Sequence, residues 1–101
     1  MIVKELVVRN NAGFHVRNAS LLCKTAMKYN ASLALSKGGG YEADCKSCLD
    51  LLTLMAPKDT VLTLRAEGED AEQAALEIES LFKQKFFEDE FAPKTEDVVG
   101  K

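Results

Sequence analysis

His15 is the only histidine among the 101 residues, and it stands two positions after Gly13 and two before Arg17. An imidazole is neutral over much of the cytoplasmic pH range and can act as a nucleophile that forms a covalent intermediate. A guanidinium two residues on offers a planar fork that matches phosphoryl oxygens. Residues 9–28 hold Arg9, Arg17, Lys24 and Lys28 and no acid. A helical period begins just beyond the pair, so the pair lies where backbone N–H groups have no helical partner and the dipole is positive, an anion site. Gly–aromatic–His–x–Arg at a loop-to-helix junction therefore points to a phosphohistidine. One histidine excludes a histidine metal cluster or a two-histidine relay, and no metal site is expected.

The elements that must position this segment follow from periodicity. Leu6-Val7-Val8 predicts a short first strand. Asn10-Asn11-Ala12-Gly13 is a loop, with Gly13 available for positive φ or close backbone approach. Ala19, Leu22, Cys23, Ala26 and Met27 form one stripe of an amphipathic helix starting at about Asn18. Asn18 is its natural N-cap, or the cap lies two or three residues earlier. Leu33 and Leu35 alternate as in a strand, and Lys37-Gly38-Gly39-Gly40 turns it into a hairpin with Tyr41–Cys45. Ser47 caps a short second helix with Leu51, Leu52 and Met55, stopped by Pro57. Leu62, Leu64 and Ala66 share one face of a strand over Thr60–Ala66. Gly68-Glu69-Asp70 opens a third helix with the stripe Ala74, Ala75, Ile78, Leu81 and Phe82.

That order, βαββαβα, fits an α+β open-faced sandwich: a four-stranded antiparallel sheet with three helices on one face. One domain is expected, residues 1–87, followed by an acidic tail, 88–101, that could dock through Phe86, Phe87 or Phe91. Hydrophobic residues are 47% and charged residues 29%, an ordinary folded composition. The formal charge of −3 argues against a nucleic-acid binder. The tail carries it, because Glu88, Asp89, Glu90, Glu96 and Asp97 outnumber Lys94 and Lys101. No apolar run nears the roughly 18 residues that span a bilayer, so no membrane insertion is expected. The three cysteines with no secretory leader place the chain in the cytoplasm.

Gly13-Phe14-His15-Val16-Arg17-Asn18-Ala19 resembles the active-site segment of the HPr family, the histidine phosphocarriers of the phosphoenolpyruvate-dependent sugar phosphotransferase system, whose pattern is Gly–apolar–His–x–Arg–Pro–Ala. Lys46-Ser47 and the run Thr60-Val61 through Ala66-Glu67-Gly68-Glu69-Asp70-Ala71 are also similar, over about residues 1–87. The resemblance implies a carrier rather than an enzyme, without a cofactor. His15 would take a phosphoryl group from phosphorylated Enzyme I and pass it to an IIA-type acceptor. Arg17 would screen its charge, and the N–H groups of Val16, Arg17 and Asn18 would hold its oxygens. Ser47 would correspond to the target of a regulatory serine kinase, and Phe14, Cys48, Leu49 and Leu52 to a docking face. Asn18 in place of proline, bulky Phe14, Asp50, a longer glycine turn and the tail depart from the pattern. They leave room for a regulatory relative, such as a member of a nitrogen-related relay or a non-transferring adaptor. A third reading takes Cys45-Lys46-Ser47-Cys48 as a CxxC redox pair at a strand-to-helix junction.

Overall fold

A computed structural model describes residues 1–11, 13–54, 56–84 and 86. The chain runs β1 (Ile2–Val7), α1 (Val16–Met27), β2 (Ala31–Lys37), β3 (Glu42–Asp44), α2 (Cys48–Leu52), β4 (Val61–Gly68), α3 (Ala71–Lys83). The strands form one antiparallel sheet in the order β1-β4-β2-β3, so the last strand is inserted between the first and second. Alternation decides which face is covered. Leu6, Leu33, Leu35, Ala43, Leu62, Leu64 and Ala66 point to the core, where Leu22 of α1, Leu51 of α2 and Ala74, Ala75, Ile78, Leu81 and Phe82 of α3 also lie. The opposite face carries polar and exposed residues, among them an Arg65–Glu42 ion pair. This is the expected open-faced α+β sandwich.

Local boundaries differ from the sequence reading where a long-range contact intervenes. β1 starts at Ile2 and stops at Val7, so Val8 lies outside the strand, although it is buried and bonded to Thr60 and Asp59. The early start is hidden because Lys4 occupies an inward position, which breaks the apolar alternation. Its stem lies along the core edge and its ammonium meets Glu79 of α3 at 2.9 Å. β4 continues through Gly68, so this glycine ends a strand instead of opening a helix. A Cβ there would come within 3.1 Å of Ala31 Cα, at φ +129°. α2 ends at Leu52, well before Pro57, and Met55 lies outside the described residues. On α1, Met27 is 64% exposed while Thr25 is buried, which shifts the stripe by part of a turn.

Two carboxylates on α3 tie the layers together. Glu79 accepts from Lys4 on β1, and Glu77 accepts from Lys28 Nζ at 2.6 Å and from the Tyr29 hydroxyl just past α1. Hydrogen bonds from Lys28 and then Tyr29 lower the Glu77 pKa, and the bond from Lys4 lowers that of Glu79, both from an ordinary value of 4.5. The folded chain therefore binds fewer protons at acid pH than the unfolded chain. The stability these pairs contribute is complete above that ordinary value and is lost as pH falls through it. Urea unfolding should show the free energy dropping as pH falls below about 4.5, with a shallower drop in a Glu77→Gln, Glu79→Gln variant.

Candidate functional site

Construction of the site begins with the loop before α1. The Gly13 N–H donates to the Asn10 carbonyl at 3.0 Å, and the buried Asn10 side-chain amide donates back to the Gly13 carbonyl. Gly13 has φ +78°, and a Cβ there would sit 2.9 Å from the Ala56 carbonyl oxygen. The next N–H, on Phe14, donates to that same oxygen at 2.7 Å. Only glycine lets the chain lie this close to the segment after α2. Asn10 was not singled out by the sequence reading, since an asparagine in a loop carries no mark of where its amide points.

This loop delivers His15 to the end of α1 as its N-cap, with extended φ −135° and ψ −172°. The imidazole Nδ1 accepts from the Arg17 N–H at 3.3 Å, and the ring also accepts from the Asn18 backbone. In return the Asn18 side-chain oxygen accepts from the His15 N–H at 2.8 Å. His15 and Asn18 thus form a reciprocal capping box in which an imidazole replaces the usual hydroxyl. The cap lies three residues earlier than Asn18, whose amide is fully buried beneath the first turn. Because Nδ1 accepts, a neutral ring carries its proton on Nε2. The nitrogen lone pair is aimed at the positive end of α1, whose first turn holds no acid. Val16 and Arg17 are exposed beside it.

The structure turns Phe14 away from the expected docking surface. It is 7% exposed and stacks on Phe82 of α3 at 6.3 Å, while Phe86 meets Phe14 edge-on at 5.9 Å and Phe82 at 4.9 Å. The large ring follows from apolar area: beside α3 it is dry, and the cluster fixes the backbone that carries His15. Phe86 does dock, at φ +52°, whereas Phe87, Phe91 and the whole 88–101 tail lie outside the described residues.

The comparisons with known proteins decide the family. The family model described as "PTS HPr component phosphorylation site" matches residues 2–84. The chain belongs to the HPr family. The phosphocarrier protein HPr of Xylella fastidiosa (strain 9a5c) is 35% identical over 89 residues, 88% of this chain and 99% of that protein. A multiphosphoryl transfer protein of Salmonella typhimurium is 36% identical over 72 residues, 69% of this chain and 19% of its own length. The crystal structure of HPr-C-His from Thermoanaerobacter tengcongensis superimposes with a TM-score of 0.80 at 29% identity, covering 85% of this chain and 96% of that one. The HPr family comprises phosphocarriers of the phosphotransferase system, and that general role extends to this chain. No helix among the described residues is long and apolar enough to cross a membrane.

The remaining expected site residues lie on or beside α2. Ser47 is its N-cap, its hydroxyl accepting from the Asp50 N–H at 3.2 Å. The Asp50 carboxylate accepts from the Asp44 N–H at 2.8 Å and the Tyr41 hydroxyl at 2.6 Å, and these bonds, the backbone one first, lower its pKa. A fixed negative charge therefore stands in the same turn as Ser47. Leu49 is 80% exposed, while Cys48 and Leu52 are half-buried. Cys45 is fully buried, and burial, followed by the charge of Asp44, pushes its thiol up to about 12. All three cysteines are free thiols. A reactive CxxC needs a depressed thiol pKa and access, and Cys45 has neither.

The face of α1 beside His15 also holds Ser20 and Leu21, which the sequence reading passed over, and Lys24, which it placed only in a basic zone. Val16, Arg17, Ser20, Leu21, Lys24 and Phe86 line a cleft of about 400 Å³. Their i, i+3, i+4, i+7 spacing was the available signal; what it could not supply was Phe86 as the facing wall.

Gly13→Ala should cost about 2 kcal/mol in urea unfolding, combining the positive-φ penalty with the clash on the Ala56 carbonyl. At neutral pH a thiol-specific reagent should modify Cys48 before Cys45. The raised pKa alone lowers the Cys45 thiolate fraction roughly a thousandfold, before burial limits access.

Proposed function

We propose that this chain carries a phosphoryl group on Nδ1 of His15, accepting it from phosphorylated Enzyme I and passing it to an IIA-type acceptor protein. What carries the reading is the imidazole at the helix start: Nδ1 is the ring nitrogen that faces the first N–H groups of α1, with the Arg17 side chain two residues on. In the transfer, the donor's phosphorus–nitrogen bond breaks as the bond from Nδ1 to phosphorus forms. The ring keeps its Nε2 proton, so no acid or base is required. The amides that cap against Nδ1 would then donate to phosphoryl oxygens, and Val16, Arg17 and Asn18 supply them. Arg17 offsets the added charge. Such a step depends on positioning and electrostatic stabilisation, which a helix terminus and one arginine provide. Similarity to a multiphosphoryl transfer protein supports partners of the Enzyme I and IIA type.

Ser47 fits a second role as a substrate for a serine kinase. Phosphate on this N-cap would face the α2 amides, and it would also face Asp50, whose carboxylate is already bonded in that turn. With Leu49 outermost, Cys48, Leu49 and Leu52 would contact partner proteins. Phe14 supports the site from below.

Incubation with Enzyme I and phosphoenolpyruvate tests the carrier. A label that survives alkali, is lost in acid and is missing from His15→Ala is the expected result; an unlabelled wild-type chain beside a labelled control HPr would reject it. Arg17→Ala should slow transfer on the order of tenfold to a hundredfold, the loss of one charge-assisted hydrogen bond of about 1.5–3 kcal/mol.

A further inference from the structure

Among the departures from the family pattern, Asn18 is bonded directly to the imidazole. A proline at this position would have neither an N–H nor a side-chain acceptor. Asn18 uses both groups on His15: its backbone N–H donates to the ring, and its Oδ1 accepts from the His15 N–H at 2.8 Å. Arg17 also donates to Nδ1, but at 3.3 Å, a long bond that holds a ring loosely. Asn18 is fully buried, so its side chain offers a partner protein nothing to touch. A neutral imidazole can carry its proton on either nitrogen, and the hydrogen bonds around it choose which. Nδ1 can accept from the first amides of α1 only when the ring lies against that turn. What fixes the ring therefore fixes the tautomer.

We propose that Asn18 is a positioning residue that selects which nitrogen of His15 is left unprotonated. Its N–H and Oδ1 grip the ring and the backbone of the same histidine, hold the imidazole against the first turn, and keep the ring proton on Nε2. Proline stiffens a helix entry through its fixed φ alone, whereas Asn18 acts on the ring as well. The effect on the tautomer stands whether or not His15 is ever phosphorylated. The effect on transfer rests on the carrier reading above: a buried residue that acts through His15 alters the transfer step and leaves partner docking alone.

Nitrogen-15 NMR of the imidazole in the full chain, at about pH 9 and so well above the ordinary range of imidazole titration, reads the tautomer directly. The wild type should show the Nε2–H form predominating. In Asn18→Pro the Nδ1–H form should rise about threefold to tenfold, the change expected when one ordinary hydrogen bond is lost. Proline is tolerated in a first helical turn, so this variant keeps the fold, which unshifted amide resonances of β4 and α3 will verify. Asn18→Ala keeps the N–H but loses Oδ1, and its tautomer population should fall between the two. Equal populations in the wild type and Asn18→Pro, or an Nδ1–H form predominating in the wild type, would overturn the proposal. With phosphorylated Enzyme I as donor, Asn18→Pro should lower kcat about threefold to tenfold with KM changed by less than about twofold. A raised KM at constant kcat would also overturn it, assigning Asn18 to docking. A wild-type chain that takes no label rejects the carrier reading instead, and the tautomer populations then decide the role of Asn18 by themselves.

Discussion

Everything at the functional end of this molecule depends on the imidazole of His15 serving as the N-cap of α1. A cap must place an acceptor against N–H groups that the helix cannot satisfy, and ring nitrogen Nδ1 does so. The same hydrogen bond fixes the tautomer and points the lone pair into the positive field of the helix. The backbone that carries the ring is braced by the buried Asn18 side chain, which accepts from the His15 N–H, and the next residue back, Phe14, is packed in an aromatic cluster with Phe82 and Phe86.

Holding that cap in place is the work of the loop and the sheet. Gly13 lies against the Ala56 carbonyl, which ties the entry of α1 to the segment leaving α2. β4 passes between β1 and β2, so the two halves of the chain share one hydrogen-bonded ladder. α3 then couples to β1 through Glu79 and to the end of α1 through Glu77. A shift of any of these elements moves the backbone of His15 and with it the cap of α1.

Charge is distributed on the same logic. Cations gather on the outer face of α1, while Asp50 next to Ser47 is fixed by Tyr41 and Asp44. Arg17 and Asp50 thus give α1 and α2 opposite local signs. A partner that reads the α1 face meets positive potential, and charge placed on Ser47 would add to an acidic turn.

The sequence by itself determined the element order, the inward faces of β2, β4 and α3, the glycine at a position requiring positive φ, and the placing of His15 and Arg17 together at a loop-to-helix junction. These follow from local rules: a period of two or 3.6, a residue type at a turn, a charge count in one window. Only the tertiary structure decided that Phe14 faces inward, that Lys4 belongs to a strand, that Asn18 braces the cap while His15 provides it, and that Cys45 is inert. Each of those depends on a partner 3 to 75 residues away, from His15 beside Asn18 to Glu79 opposite Lys4. The direction in which a side chain points is set by what packs against it, and a local pattern carries no record of a distant neighbour.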